Sequence, residues 1–190
     1  LETSRFQLAL QTAQIELPLL ERSTKDSFSL YVSIPFCPSR CTYCSFVSHS
    51  VEQAAKLIPA YIDKLIEELA EIGRLAQQLE LKLRTIYFGG GTPTVLSADQ
   101  LGRLMEAITK YFDLSDLWEY TIEAGRPDTI TKEKLETIRK MGAGRISVNP
   151  QTLSDSVLQT VGRKHTAFQC MECYRLAKEL GFSINMDLIA

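Results

Sequence analysis

Residues 30–44 read LYVSIPFCPSRCTYC, and this stretch decides the fold because it joins a β-strand to a loop rich in cysteine. Apolar and polar side chains alternate over residues 30–34, which predicts a half-buried strand. Pro35 and Pro38 then keep the chain out of a helix, because proline fixes its own φ and restricts the residue before it. The stretch therefore predicts a strand followed by an irregular loop.

The loop carries three of the five cysteines: Cys37, Cys41 and Cys44. Five cysteines cannot all pair within one chain, and a cluster of this kind in a reducing cytosol indicates metal ligands. Soft thiolates select iron–sulfur clusters, zinc or copper. Two interpretations stay open. Three thiolates can hold an iron–sulfur cluster with one iron free to bind another molecule, or His49 can complete a zinc site.

Outside the loop, short β-like runs alternate with longer runs of helical period. This alternation is typical of βα units and a mostly parallel sheet. We expect five strands, at about residues 30–34, 85–88, 120–123, 145–148 and from 183 onward. Residues 1–27 form a lead-in of weak periodicity, and residues 28–190 form the core domain, which we expect to be incomplete at its C-terminus.

The predicted strands have one apolar and one polar face. The polar face carries Tyr31, Ser33, Thr121, Glu123, Ser147, Asn149, Asn185 and Asp187. A parallel sheet covered by helices on both faces shows near-continuous apolar runs instead, so one face of this sheet meets something polar. In a barrel of βα units, that face lines a lumen that can hold a ligand. The sequence thus predicts an α/β fold, a partial barrel of parallel strands that ends after about the fifth strand.

The composition narrows the classes of partner. The 190 residues carry 21 Lys+Arg against 23 Asp+Glu, a net charge of −2. This balance gives no long-range attraction for phosphate backbones, so we expect no nucleic-acid partner. No apolar run reaches the roughly 18 residues that a membrane span needs, and no basic-then-apolar leader opens the chain. We therefore expect a cytoplasmic protein without a membrane span.

Two motifs resemble a known family. They are Tyr31-x-Ser33-Ile34-Pro35-Phe36-Cys37-x3-Cys41-x-Tyr43-Cys44 and Phe88-Gly89-Gly90-Gly91-Thr92-Pro93-Thr94. Both are similar to the radical S-adenosylmethionine (SAM) superfamily, and within it to the oxygen-independent coproporphyrinogen III dehydrogenases and their relatives. The resemblance runs from about Leu30 to Ala190. It implies a (β/α)6 radical SAM barrel, of which this chain holds a part.

The resemblance also implies two cofactors. In the family, three cysteines, here Cys37, Cys41 and Cys44, hold a [4Fe–4S] cluster whose remaining iron chelates SAM. The reduced cluster cleaves SAM to a 5′-deoxyadenosyl radical that abstracts hydrogen from the substrate, so the cofactor carries the difficult step. No catalytic side chain beyond the cofactor contacts is implied. The implied SAM contacts are Tyr31 at the sulfonium, Gly90, Gly91 and Thr92 at the methionyl part, Glu123 at the amino group, and Gln151, Arg163 and Asp187.

Three departures from the family pattern bear on the substrate. The dehydrogenases have a fourth cysteine where this chain has Phe46, and a histidine where it has Ser33. Residues 123–127 read EAGRP in place of the common Glu-x-Asn-Pro. These departures resemble the branches that contain heme chaperones and the coproporphyrinogen dehydrogenase-like proteins of Gram-positive bacteria, and EAGRP is more similar to the latter.

We therefore expect a radical SAM enzyme of heme biosynthesis that converts coproporphyrinogen III to protoporphyrinogen IX by oxidative decarboxylation. One alternative is a heme chaperone of the same family without decarboxylase activity, and another is a structural zinc domain that uses His49. The implied partners are a tetrapyrrole substrate or heme, and an external one-electron donor such as flavodoxin or ferredoxin.

Three features lie outside these motifs. Cys170 and Cys173 fall in a predicted helix, where free cysteine packs as a small apolar residue, so we expect them in the core. His165 precedes that helix, and we expect a solvated or capping role for it. Trp118 has no assigned role from the sequence.

Overall fold

The computed structural model describes residues 3–46 and 49–189. Its strands are β1 (Ser27–Ile34), β2 (Phe36–Cys37), β3 (His49–Ser50), β4 (Lys82–Gly90), β5 (Glu119–Glu123), β6 (Arg145–Ser147) and β7 (Ser183–Asn185). Its α-helices are α1 (Thr3–Glu21), α2 (Val51–Ala54), α3 (Ile58–Gln78), α4 (Ala98–Tyr111), α5 (Lys132–Lys140), α6 (Asp155–Thr160) and α7 (Ala167–Glu179).

Five strands form one parallel sheet in the order β1-β4-β5-β6-β7. A helical connection separates each strand from the next, so the chain winds steadily in one direction, as βα units do in a barrel. The short strands β2 and β3 form a separate parallel pair beside the sheet. The predicted α/β fold with five parallel strands is confirmed.

The strand faces place the core on one side of the sheet. In β1, Leu30, Val32 and Ile34 are buried whereas Tyr31 is exposed. The buried face packs against the apolar sides of α3, α4 and α5 in one continuous core. Fully buried side chains of that core include Ile34, Phe88, Ile122, Ile62, Leu69, Leu101, Leu104, Ile108 and Leu135. The opposite, polar face is thereby left to form the site.

Local sequence signals set several helix ends. Ser97 and Gln100 form the capping box that opens α4. A second capping box, Thr166 with Gln169, opens α7. After α5, Gly142 adopts a φ of 97°, a left-handed conformation that favours glycine and stops the helix.

The last strand is shorter than the alternation predicted. β7 ends at Asn185, and only an isolated bridge between Gln151 and Leu188 continues the pairing. Leu188, which strict alternation from Ile184 and Met186 would place on the apolar face, is 69% exposed. The reason is the position of β7 at one end of the described sheet, where only Ile184 and Met186 are packed against the core.

The lead-in contains a helix that weak periodicity did not predict. Every residue of α1 is exposed, so its helical form rests on good helix formers such as leucine, alanine and glutamine rather than on a buried face. After α1, the Arg22 guanidinium lies 4.9 Å from the ring centroid of Trp118, and that of Arg84 lies 5.1 Å from it. Trp118 therefore joins the lead-in to the domain through cation–π contacts. Leu1, Glu2 and Ala190, the ends of the predicted regions, lie outside the described residues.

No helix among the described residues combines the length and the apolar composition that a membrane crossing requires.

Candidate cofactor site

The cysteine loop follows β2 and contacts the turn after α6. The Thr42 amide donates to the carbonyl of Val161 at 3.1 Å, and the Ser39 hydroxyl donates to that of Gly162 at 2.9 Å. Gly162 has a φ of 79°, and a Cβ there would stand 2.9 Å from the Arg40 carbonyl oxygen. This close approach requires glycine, so the turn is shaped to support the loop.

One cavity of about 190 Å³ collects the predicted site residues. It is lined by Cys37, Cys41, Cys44, Gly90, Gly91, Thr92, Glu123, Gln151, Arg163 and Asp187, together with Ser39, Arg40, Tyr43, Phe46, Gly125, Arg126 and Asn149. The set comes from the cysteine loop, from the carboxyl ends of β4, β5, β6 and β7, and from the turn after α6, which carries Arg163. The three cysteines and every implied SAM contact except Tyr31 thus face one space; their roles there remain predictions.

The glycine run brings β4 against the start of the loop. The Gly91 amide donates to the Ile34 carbonyl and that of Thr92 to the Phe36 carbonyl, both at 2.8 Å. A Cβ on Gly91 would stand 2.6 Å from the Phe36 carbonyl oxygen, and Gly90 has a φ of 102°. These glycines are therefore required by contacts within the protein itself, which the sequence did not reveal. Thr92 also donates its hydroxyl to the Cys37 sulfur at 3.5 Å.

Glu123 projects from the end of β5 into the cavity and is partly buried. Burial raises the pKa of its carboxyl group, whereas the Tyr87 hydroxyl, which donates to Oε1 at 2.6 Å, acts in the opposite direction. Asp187 adds a like charge and raises the pKa further. Tyr87 is not among the predicted site residues; the sequence signal that could have found it is its position in β4, one strand from Glu123 and on the polar face.

Tyr31 stands apart from the other predicted SAM contacts. Its ring stacks on Tyr87 at 5.9 Å between centroids, and it is 59% exposed. The register of β1 and β4 places these tyrosines opposite each other. Tyr31 therefore lies outside the described cavity lining and is linked to Glu123 through Tyr87.

Gln151 and Asp187 are held together by backbone contacts. Gln151 has a φ of 65°, which is uncommon for a residue other than glycine. Its amide donates to the Asp187 carbonyl at 2.9 Å, and its own carbonyl accepts from Ile189 at 2.8 Å. The Asp187 carboxylate accepts a hydrogen bond from Asn185 at 2.8 Å. The strained turn thus places both side chains at one wall of the cavity.

Arg163 is a buried cation whose hydrogen bonds go to neutral groups. It donates to the Tyr43 hydroxyl at 3.1 Å and to the carbonyls of Gly125 at 3.1 Å and Asn149 at 2.7 Å. These contacts tie the cysteine loop to the ends of β5 and β6. An anion in the cavity would be attracted to this charge.

Arg126 is a second buried arginine. In the sequence it appears only within EAGRP, one of the departures from the family pattern. Its guanidinium donates to the Cys41 sulfur at 3.7 Å and to the Ser39 hydroxyl at 2.9 Å. The Asp128 carboxylate accepts from its Nε at 3.2 Å. A charged donor therefore faces one of the three thiols.

Two expectations about neighbouring residues have different outcomes. Cys170 is fully buried and Cys173 packs against the core, as expected, and burial raises the pKa of both thiols. The expectation for His165 is wrong, because its side chain is buried, with Nδ1 3.8 Å from Asp128. Burial and nearby Arg163 lower its pKa, which favours the neutral ring.

The donor chemistry around the loop fits an iron–sulfur cluster. Three free thiols line one cavity, and a hydroxyl and a guanidinium already face two of the sulfurs, as suits thiolate ligands. His49, the fourth ligand in the zinc interpretation, is exposed and lies in β3, outside the described lining of this cavity. Within residues 3–46 and 49–189, no three His, Cys, Asp or Glu side chains stand in an arrangement for a single metal ion.

Comparisons with known proteins identify the family of this chain. The sequence pattern of the Radical SAM superfamily matches residues 31–190. The oxygen-independent coproporphyrinogen-III oxidase-like protein HemZ of Bacillus subtilis is 42% identical over 167 residues, 87% of this chain and 33% of that protein. The heme chaperone HemW of Lactococcus lactis is 42% identical over 163 residues, 85% of this chain and 40% of that protein.

A solved structure shows the same fold. Coproporphyrinogen III oxidase HemN from Escherichia coli, a radical SAM enzyme, superposes with a TM-score of 0.77 and 31% identity, over 92% of this chain and 40% of that one. The chain thus spans between 33% and 40% of the length of the proteins compared. Radical SAM proteins use a [4Fe–4S] cluster and SAM, the two cofactors that the cysteine loop and its cavity fit. By sequence and by fold, this chain belongs to the radical SAM superfamily.

Proposed function

We propose that this chain is the cofactor-binding core of an enzyme that oxidatively decarboxylates coproporphyrinogen III to protoporphyrinogen IX. The observation that carries the proposal is the single cavity in which three cysteines meet seven of the eight implied SAM contacts. The names of two similar proteins, HemZ and HemN, support the choice of substrate.

The residues of the cavity divide between the two cofactors. Cys37, Cys41 and Cys44 would hold three irons of the cluster and leave the fourth for the amino and carboxylate groups of SAM. Glu123 would accept a hydrogen bond from the SAM amino group. Arg163 would attract the SAM carboxylate, because its present acceptors are all neutral.

The remaining contacts would hold the other parts of SAM. Asp187 would accept hydrogen bonds from the ribose hydroxyls, and Gln151 lies beside it. Gly90, Gly91 and Thr92, which line the cavity at the end of β4, would lie along the methionyl part. Tyr31 would lie at the margin of the cavity towards the sulfonium. The protein thereby fixes one geometry for a reaction in which small displacements are costly.

When bound and reduced, the cofactors supply a 5′-deoxyadenosyl radical that removes a β-hydrogen from a propionate. Loss of carbon dioxide and of one electron to an external acceptor then gives a vinyl group, and two propionates react in each substrate. A low-potential one-electron donor such as flavodoxin or ferredoxin would reduce the cluster. We place the protein in the cytoplasm, because free thiol ligands require a reducing compartment.

A second candidate function is a heme chaperone. It is supported by the 42% identity to HemW of Lactococcus lactis, which equals the identity to HemZ. Such a protein keeps the same cofactors but binds and transfers heme without forming vinyl groups. Incubation of the protein with coproporphyrinogen III, SAM and dithionite separates the two. Loss of two carbon dioxide molecules, measured by mass spectrometry, supports the enzyme, and heme binding without that loss supports the chaperone.

The cofactors themselves are tested on this chain. After anaerobic reconstitution with iron and sulfide, we expect a reduced [4Fe–4S] signal in electron paramagnetic resonance that shifts on addition of SAM. Cys41→Ser should remove most of the iron and the signal, because it deletes one of three cluster ligands. Iron and zinc are measured in parallel by elemental analysis.

Two matched variants serve as controls for that test. Cys170→Ser changes a buried cysteine outside the cavity and should keep full iron content. His49→Ala should also keep it, because His49 lies outside the described cavity lining. A protein that holds zinc instead of a cluster, or that needs His49 for its metal, would contradict the proposal.

A further inference from the structure

We propose that Arg126 is a positioning residue that raises the reduction potential of a cluster held by the cysteine loop, by donating a hydrogen bond to the Cys41 thiolate. This inference rests on the proposed function, in which Cys41 is a cluster ligand. It assigns to Arg126 a role in setting how readily the cluster accepts the electron that starts the reaction.

The geometry fixes the guanidinium against the sulfur. Arg126 is 3% exposed, and its Nη1 lies 3.7 Å from the Cys41 Sγ. The same nitrogen donates to the Ser39 carbonyl at 3.3 Å, and Nη2 donates to the Ser39 hydroxyl at 2.9 Å. On the other side, Asp128 accepts from Nε at 3.2 Å and from Nη2 at 3.3 Å. The planar group is held at both ends and has little freedom to turn away from the sulfur.

Burial makes this contact stronger than one at the surface. Cys41 is the buried member of the three loop cysteines, at 8% exposure, whereas Cys37 and Cys44 are partly exposed. Water therefore screens the Cys41 sulfur least, and a charged donor beside it acts in a medium of lower dielectric constant. By comparison, the Cys37 sulfur accepts a hydrogen bond from a neutral group, the Thr92 hydroxyl, at 3.5 Å.

The sign of the effect follows from charge. Reduction by an external one-electron donor adds one negative charge to the cluster and its thiolates. A guanidinium at hydrogen-bond distance from a ligand sulfur stabilises the state with more negative charge, so it favours the reduced cluster. Asp128 reduces but does not remove this effect, because it lies on the far side of the guanidinium from the sulfur contact.

A purely structural role for Arg126 predicts a different result. Through Ser39, the guanidinium also ties the loop to the segment after β5, so its loss could lower stability and iron content. That role would not change the potential of clusters that do assemble. The reduction potential therefore distinguishes tuning from scaffolding.

The test is a redox titration of the reconstituted chain with dithionite and mediators, in the absence of SAM. The reduced fraction is measured by electron paramagnetic resonance. For Arg126→Gln, we expect the ratio of reduced to oxidised cluster at a fixed potential to fall about tenfold, which is about 59 mV for a one-electron couple. Arg126→Lys keeps the positive charge but loses the planar arrangement of several N–H donors, so the ratio of reduced to oxidised cluster should fall less. Arg103→Gln, which removes an exposed arginine paired with Asp63, should leave the ratio unchanged.

The outcomes separate this inference from the proposed function. An unchanged ratio in Arg126→Gln at full iron content overturns the inference and leaves the proposed function standing. If Arg126→Gln holds no cluster, Arg126→Lys is titrated in its place. A ratio of reduced to oxidised cluster below that of the unmodified protein supports the inference, and an unchanged ratio overturns it. Failure of the unmodified protein to hold any cluster overturns the proposed function itself.

Discussion

Glu123 shows how the site sets the charge of a single residue. Burial disfavours the ionised carboxylate and raises its pKa. The hydroxyl of Tyr87 stabilises the ionised carboxylate by donating a hydrogen bond of 2.6 Å. Burial, followed by this hydrogen bond, raises the pKa of Tyr87 well above its usual value, so Tyr87 stays a neutral donor. Tyr87 therefore favours the ionised form of Glu123, which can accept a hydrogen bond from a donor such as an ammonium group.

The first prediction concerns Tyr87→Phe. Without the hydroxyl, the carboxylate loses a donor, and SAM binding by the reconstituted protein should weaken about tenfold at neutral pH. The pKa of Glu123 should rise further, because the opposing contact is gone. As the pH falls, SAM affinity should therefore decline at a higher pH in the variant than in the unmodified protein. Isothermal titration calorimetry between pH 5 and 8 measures both effects.

Tyr120→Phe is the matched control for Tyr87→Phe. Tyr120 lies on β5 with a buried hydroxyl that has no hydrogen-bond partner among the described residues. Its loss should leave the SAM affinity and its pH dependence unchanged. An affinity profile in Tyr87→Phe that coincides with that of Tyr120→Phe would show that Tyr87 does not act on Glu123.

At the scale of elements, the site depends on how tightly β4 meets the segment after β1. Gly91 lies against the backbone of Phe36, and two backbone hydrogen bonds of 2.8 Å close this junction. Phe36 itself is buried beneath the junction, with its ring edge-on to Tyr61. The start of the cysteine loop is therefore positioned by β4 rather than by the loop sequence alone.

The second prediction concerns Gly91→Ala. A Cβ at 2.6 Å from the Phe36 carbonyl oxygen must push two strands apart, so we expect a loss of about 1–3 kcal/mol in the free energy of unfolding. Gly102→Ala in α4 is the control, because its Cβ would find only the Thr137 methyl group at 3.6 Å. In a helix interior this change should stabilise by up to about 1 kcal/mol. Urea denaturation measures both; equal effects of the two variants would show that the junction is loose.

At the scale of the whole molecule, the chain consists of a packed α/β unit and an exposed helix. All core clusters of the described residues lie between residues 28 and 186, and α1 contributes no buried residue. α1 does expose several large apolar side chains, including Phe6, Ile15 and Leu20. The stability of the domain therefore arises from the sheet and the helices that cover it.

The third prediction concerns deletion of residues 1–21. Because α1 buries nothing, the melting temperature of the shortened protein should change by no more than about 2 °C, which corresponds to less than about 1 kcal/mol in a chain of this size. Iron content after reconstitution should not change. Differential scanning calorimetry and iron analysis provide the measurements. A drop of about 8 °C or more would mean that α1 packs on the domain.

Features that depend on neighbours along the chain were predictable from the sequence. The predicted strand leading into Cys37 is confirmed, and the capping box of Ser97 with Gln100 and the stop at Gly142 likewise have local causes. The helix α1 could not be predicted in this way, because an exposed helix needs no apolar face and therefore leaves only weak periodicity in the sequence. Resemblance to a family then gathered distant positions, such as Glu123 and Arg163, into one expected site.

The sequence by itself determined the α/β fold, the cysteine loop and the family. Only the tertiary structure decided which side chains act on the site residues. Tyr87 meets Glu123 across 36 positions, Arg126 meets Cys41 across 85, and His165 is buried instead of solvated. The physical reason is that strand patterns and caps follow from local backbone preferences, whereas a hydrogen bond between distant side chains requires the strand order and register that packing of the whole domain imposes.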